Sequence, residues 1–176
     1  MINKKQNRVF SVFLIVILAI QVSCTPKTPS DLSKESIIPK PVSMTATGEL
    51  FALKSGTDVY IGGESKELRQ IGQYLADKLK LSTGFGIEVL TTNKTPRSGN
   101  IYLTIAENNS IPNLGDEGYE LTITKKLVLL SANNPAGLFR GVQTIRQLLP
   151  AKIELSSQTG PWEIATGTIT DYPVYT

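Results

Sequence analysis

The sequence predicts an α+β fold, a mixed β-sheet with two amphipathic helices packed on one face. Three observations carry this expectation. Two stretches repeat their apolar residues at helical spacing, several short segments around them are rich in β-branched and aromatic residues, and no self-similarity at a period of roughly 20–50 residues suggests stacked repeats. The 140 residues from position 37 to 176 amount to one domain, enough to bury about two-thirds of the chain's surface.

The N-terminus is a different kind of segment. Lys4, Lys5 and Arg8 precede residues 9–22, VFSVFLIVILAIQV, in which only Ser11 and Gln21 are not apolar. At ~1.5 Å per helical residue this run spans roughly 21 Å, short of the ~30 Å hydrocarbon slab, so residues 1–23 read as a signal peptide and not as a membrane span. The single cysteine follows at once in Gln21-Val22-Ser23-Cys24, which resembles the lipobox of bacterial lipoproteins. The resemblance implies cleavage after Ser23 and lipid attachment at Cys24. The competing reading is an ordinary secretory peptide, because Gln21 stands where the lipobox prefers Leu. Thr25 is not the aspartate that retains lipoproteins at the inner membrane, which implies an outer-membrane lipoprotein, on the periplasmic or cell-surface side, touching the membrane through its lipid only. Residues 24–36 then form the lipidated cysteine and a polar tether with too little apolar surface to fold.

Residues 37–160 carry the folded domain. Strands are expected at 59–61, 87–90, 101–105, 119–124 and 127–132. In 119–124 the apolar Tyr119, Leu121 and Ile123 alternate with Glu120, Thr122 and Thr124, as in a strand with one wet face. Lys125-Lys126 marks a reversal, and since neither lysine suits positive φ the loop should borrow its neighbours. The first helix, 64–81, places Leu68, Ile71, Leu75 and Leu79 on one stripe. The second is bracketed by Asn134 as N-cap, Pro135 at its first position and Pro150 beyond its end. Its buried stripe is Leu138, Val142, Ile145 and Leu149, widened by Phe139 and Leu148. Residues 161–176, with Trp162, Ile164 and Ile169, read as a linker leading onward.

Composition narrows the chemistry. There is no histidine and one cysteine, so a Ser-His-Asp or Cys-His relay, an imidazole zinc site, an intrachain disulfide and a cysteine metal cage are all excluded. No metal and no cofactor is expected. The net charge of +3 comes from Lys4, Lys5 and Arg8, and from position 24 onward Lys+Arg and Asp+Glu balance at 15 each. A neutral body has no footprint for nucleic acid.

Several motifs have plain structural readings. Gly62-Gly63 is a strand-to-helix turn, since no phosphate-loop lysine follows, and Gly84-Phe85-Gly86 supplies a helix C-cap. Asp116-Glu117 could tempt a glycosidase reading but lies in the turn Asn113-Leu114-Gly115-Asp116-Glu117-Gly118, where carboxylates are solvated. Asn93-Lys94-Thr95 and Asn108-Asn109-Ser110 match a glycosylation sequon that a bacterial signal makes idle. Arg140 and Arg146 are expected on the surface for solubility. No catalytic residue is assigned within the chain.

Four segments taken in order resemble the N-terminal domain of family 20 glycoside hydrolases, the β-N-acetylhexosaminidases. They are Ile37-Ile38-Pro39-Lys40-Pro41-Val42, Gly118-Tyr119-Glu120-Leu121, the run from Ala136-Gly137-Leu138-Phe139-Arg140-Gly141 to Pro150, and Ile169-Thr170-Asp171-Tyr172-Pro173. The resemblance implies a small α+β domain ahead of a (β/α)8 barrel whose adjacent Asp and Glu do the chemistry, the Asp orienting the substrate's 2-acetamido group as nucleophile. After Asp-Tyr-Pro the family pattern has an Arg where Val174 stands, and the sequence stops at Thr176 before a barrel of at least about 200 residues. The expectation is therefore a noncatalytic domain, as a fragment of a hexosaminidase that removes terminal N-acetylhexosamine from glycans. Its partner would be that missing barrel, and glycans would reach it only through the barrel. The alternative is a stand-alone lipoprotein module binding a glycan or a partner protein, which a cluster of exposed aromatics would favour; along the sequence the aromatics are scattered.

Overall fold

The computed structural model describes residues 30–107 and 110–174. The signal segment, Cys24, the start of the tether, Asn108, Asn109, Tyr175 and Thr176 lie outside the described residues.

Seven strands form one mixed sheet. They are β1 (Ser43–Ala52), β2 (Val59–Gly62), β3 (Val89–Thr92), β4 (Asn100–Ile105), β5 (Tyr119–Ile123), β6 (Leu127–Ala132) and β7 (Glu163–Asp171), laid side by side as β1-β7-β5-β6-β4-β2-β3. β3, β2, β4 and β6 run parallel, whereas β5, β7 and β1 join antiparallel. Helices α1 (Lys66–Thr83) and α2 (Pro135–Leu148) cover one face only, α1 over β2 and β3 and α2 over β5 and β6.

Each helix forms where its signals predict. Ser65 caps α1 by accepting from the Leu68 N–H at 3.3 Å, and Gly84 closes it at φ 70° with its own N–H on Lys80 O at 2.9 Å. Leu68, Ile71, Leu75 and Leu79 are all buried, as are Leu138, Val142, Ile145, Leu148 and Leu149 on the second helix side. β5 buries Tyr119, Leu121 and Ile123 in strict alternation. The turn from β5 to β6 does borrow its flank, because Thr124 Oγ1 accepts from the N–H groups of both Lys126 and Leu127.

Several expectations fail. The tether does not reach residue 36, because Leu32, in a turn over Leu32–Lys34, is fully buried in the core. Residues 163–171 are a strand, not a linker, since β7 pairs on both sides and buries Ile164, Ala165, Thr166 and Ile169. Trp162 beside it is 3% exposed, so this stretch belongs to the core. β1 has no counterpart in the expected strands. Phe139 does not widen the buried stripe; it is 45% exposed and tilts against the ring of Tyr74 from α1, with centroids 5.5 Å apart. Pro135 fixes the start of α2 where it should, but Asn134 makes no side-chain cap bond.

Candidate functional site

The four family-like segments, up to about 130 residues apart in the chain, meet along α2, some at its first turns and one at its last. The closest approach is between main chains. A Cβ on Gly137 would stand 2.1 Å from the carbonyl oxygen of Gly118, so the start of α2 lies on the entry to β5 only with glycine there, and a Cβ on Gly118 would stand 2.2 Å from the carbonyl oxygen of Leu114, so the turn before β5 closes only with glycine at its end. One residue on, Tyr119 runs beneath α2 and its hydroxyl meets Thr144 Oγ1 at 2.6 Å. Burial pushes the Tyr119 hydroxyl up to about 12, against the lowering effect of Thr144.

The segment after the tether is strapped along α2, from its last turn toward the end of β7. Ile37 is buried, and the next residue is gripped by Gln147 of α2: Ile38 N–H donates to Gln147 Oε1 at 2.9 Å while Gln147 Nε2 donates to Ile38 O at 3.1 Å. Farther along the strap, Val42 N–H donates to Asp171 Oδ1 at 3.3 Å, at the end of β7. Burial holds the Asp171 carboxyl above the ordinary range, partly offset by the Val42 and Tyr172 N–H groups and by the charge of Arg140. Pro39, Lys40, Val42, Glu117, Arg140 and Asp171 then line an open cleft of about 410 Å³.

The carboxylates of the turn before β5 are both engaged by α2. Glu117 Oε2 accepts from Arg140 at 2.6 Å, and Asp116 Oδ1 accepts from Asn134 Nδ2 at 2.9 Å, which is where the missing cap side chain has gone. Held apart by separate partners, they are ties between turn and helix; they form no acid–base pair. Arg140 thus has a specific partner. Arg146 departs further from a solubility role. Its side chain is 18% exposed, and it donates to both carboxylate oxygens of Glu154 at 3.0 and 2.6 Å, to Gln143 Oε1 at 2.6 Å and to the Tyr74 hydroxyl. The Glu154 hydrogen bonds raise the Arg146 pKa, and Arg146 in turn lowers that of Glu154.

Gly62-Gly63 and Gly84-Phe85-Gly86 are turn and cap as expected. Asn93 lies in the loop after β3. Among the described residues no group of three or more His, Cys, Asp or Glu could hold a metal, and no helix is long and apolar enough to cross a membrane. The sequence reading missed Gln147 and Asp171 as clamps; their only signal was their place inside the family-like segments. What the arrangement offers is a binding face. Ile38, Val42, Phe139 and Val174, four of the six large apolar side chains left exposed among the described residues, belong to α2 or to the segments that meet it, at 79, 47, 45 and 66% exposure. Of the other two, Leu81 lies in the last turn of α1 and Leu155 just after the turn Ala151–Glu154.

The family model for glycosyl hydrolase family 20, domain 2, matches residues 34–172. The chain is 32% identical over 123 residues to a beta-hexosaminidase of Porphyromonas gingivalis, a match covering 70% of the chain and 15% of that protein. It is 34% identical over 113 residues to a beta-N-acetylhexosaminidase of Cellulomonas fimi, covering 64% and 22%. Among solved structures, the GH20 beta-N-acetylhexosaminidase from Streptomyces coelicolor A3(2) superposes with a TM-score of 0.73 at 40% identity, over 85% of this chain and 28% of that one. The chain therefore spans less than a third of each of these relatives.

Proposed function

The chain belongs to glycoside hydrolase family 20 as that family's domain 2, and on this premise we propose that it is the noncatalytic packing domain of a lipoprotein β-N-acetylhexosaminidase, docking a catalytic (β/α)8 barrel along α2. The observation that supports this best is the convergence itself. The residues by which the chain resembles the family are spent on strapping, clamping and close main-chain approach around one face, and that face leaves Ile38, Val42, Phe139 and Val174 exposed. The cleft that holds Val42 and Val174 also carries Lys40, Glu117 and Arg140, and this mixture of exposed apolar and charged groups suits a protein interface.

In this reading the barrel supplies the adjacent Asp and Glu, and the terminal N-acetylhexosamine that is cleaved meets those groups in the barrel. Lipid on Cys24 holds the enzyme at the outer membrane, which mass spectrometry of the membrane fraction would reveal as an acylated N-terminal cysteine. The test of the noncatalytic role is turnover of an aryl N-acetyl-β-glucosaminide. The full chain alone should give none, and the chain joined to a family 20 barrel should turn over. Turnover by the chain alone that disappeared in Asp116→Asn or Glu117→Gln would overturn the proposal.

A further inference from the structure

The helices cover one face of the sheet, and the opposite face carries two continuous rows of side chains in register. One runs Thr45, Thr168, Thr122, Leu129, Tyr102, Tyr60, Leu90 from β1 to β3, and the other Ser43, Thr170, Glu120, Ser131, Thr104, Gly62, Thr92. All of these residues are half-buried or exposed. The scattered aromatics of the sequence are therefore not scattered in space: Tyr60 and Tyr102 are direct register partners on neighbouring strands, flanked by Leu90 and Leu129. Gly62 lets the Tyr102 hydroxyl and Thr104 pack close over the strand, since a Cβ there would stand 3.0 Å from the Tyr102 hydroxyl and 2.6 Å from Thr104 Oγ1.

We infer that this open face binds a neutral glycan, an extended chain of β-linked N-acetylhexosamine, across Tyr60 and Tyr102. A pyranose ring presents C–H groups on its faces and polar groups on its edge, so it packs on apolar rings while its hydroxyl and acetamido groups find hydrogen bonds. Here the apolar run Leu90-Tyr60-Tyr102-Leu129 spans about 14 Å at ~4.8 Å per strand, and Thr92, Thr104 and Ser131 form a hydroxyl row beside it. Glu120 is the only charge in either row, which suits an uncharged polymer and gives a charged partner nothing to read. A second copy of the chain is a poorer occupant: the two rows cover roughly 400 Å², about half of the ~800 Å² per partner of a stable interface. The choice of N-acetylhexosamine rests on the family reading, whereas the platform lies on the sheet face opposite the proposed docking surface.

Two probes test this directly: retention of the full chain on insoluble chitin, and titration with N-acetylchitohexaose followed by NMR. The chain should be retained, and shift changes in the unmutated chain should concentrate on β2, β4 and their neighbours, a result that needs no variant. Tyr60→Ala and Tyr102→Ala should each weaken binding about tenfold, while Tyr60→Phe, Tyr102→Phe and, on the helix layer, Phe139→Ala should keep it. No retention, retention unaffected by the Tyr60→Ala/Tyr102→Ala double variant, or shifts confined to the helix layer would overturn the inference. So would sedimentation showing a dimer that the double variant splits, which would assign the face to a second copy. None of these outcomes depends on turnover, so the packing-domain reading stands or falls separately.

Discussion

The side-chain amide of Gln147 closes both main-chain hydrogen bonds of Ile38, 109 residues earlier in the chain. It does for the strap what a neighbouring strand would do, and it sets the exposed Ile38 side chain beside α2. Gln147→Ala should cost about 1–2 kcal/mol in chemical denaturation, the worth of two net hydrogen bonds, and should speed hydrogen exchange at Ile38 without altering that of β5 or β6.

The contact between Gly118 and Gly137 leaves no room for a methyl group. Gly137→Ala sets Cβ against a main-chain oxygen that cannot swing away, so about 3 kcal/mol or more should be lost and α2 displaced. Gly86→Ala, where nothing lies within 4 Å, should stay within about 0.5 kcal/mol by the same denaturation measurement.

Arg146 ties α2 to the turn Ala151–Glu154 and to α1 through Tyr74. Because the pair with Glu154 is two-pronged and Arg146 is mostly covered, while Glu154 at 44% exposure is screened by solvent, Arg146→Ala should cost about 1–2 kcal/mol. Arg146→Lys should recover less than half, since an ammonium cannot donate in two parallel directions.

Tyr119 gives the domain an alkaline limit. In the unfolded chain its hydroxyl ionises near the ordinary tyrosine value of 10.0, whereas burial pushes it up to about 12 in the fold. Between these values the folded state keeps a proton that the unfolded state has lost. Stability from this group is therefore complete below pH 10 and is lost as pH rises toward 12, by about 2–3 kcal/mol over the window. Denaturation midpoints of Tyr119→Phe should fall less steeply over that range than those of the unsubstituted chain.

Much of this architecture can be read along the chain, and what cannot has physical causes. α1, α2 and β6 carry strong local signals: a 3.6-residue apolar stripe, a proline at the first helical position, a run of β-branched and leucine residues. β7 contains Ala165-Thr166-Gly167-Thr168, too small and polar to look buried. It is buried because β1 and the turn Leu32–Lys34 close over it, so tightly that a Cβ on Gly167 would lie 1.9 Å from Thr45 O. β1 itself is interrupted by an irregularity between Ala46 and Leu50 with Gly48 at φ 79°, which breaks the alternation a strand is recognised by. The binding face along α2 was legible only as family-like segments, because Gln147 with Ile38 and Asp171 with Val42 are pairings across 109 and 129 residues that no local pattern encodes.

The packing role is tested most directly by hydrogen exchange on the full chain and on the same chain joined to a family 20 barrel. Docking along α2 predicts that protection rises in the joined protein over residues 37–42, 137–147 and 171–174 and stays the same along β2, β3 and β4. Unchanged protection in those three segments, or protection gained on the open sheet face instead, would contradict it.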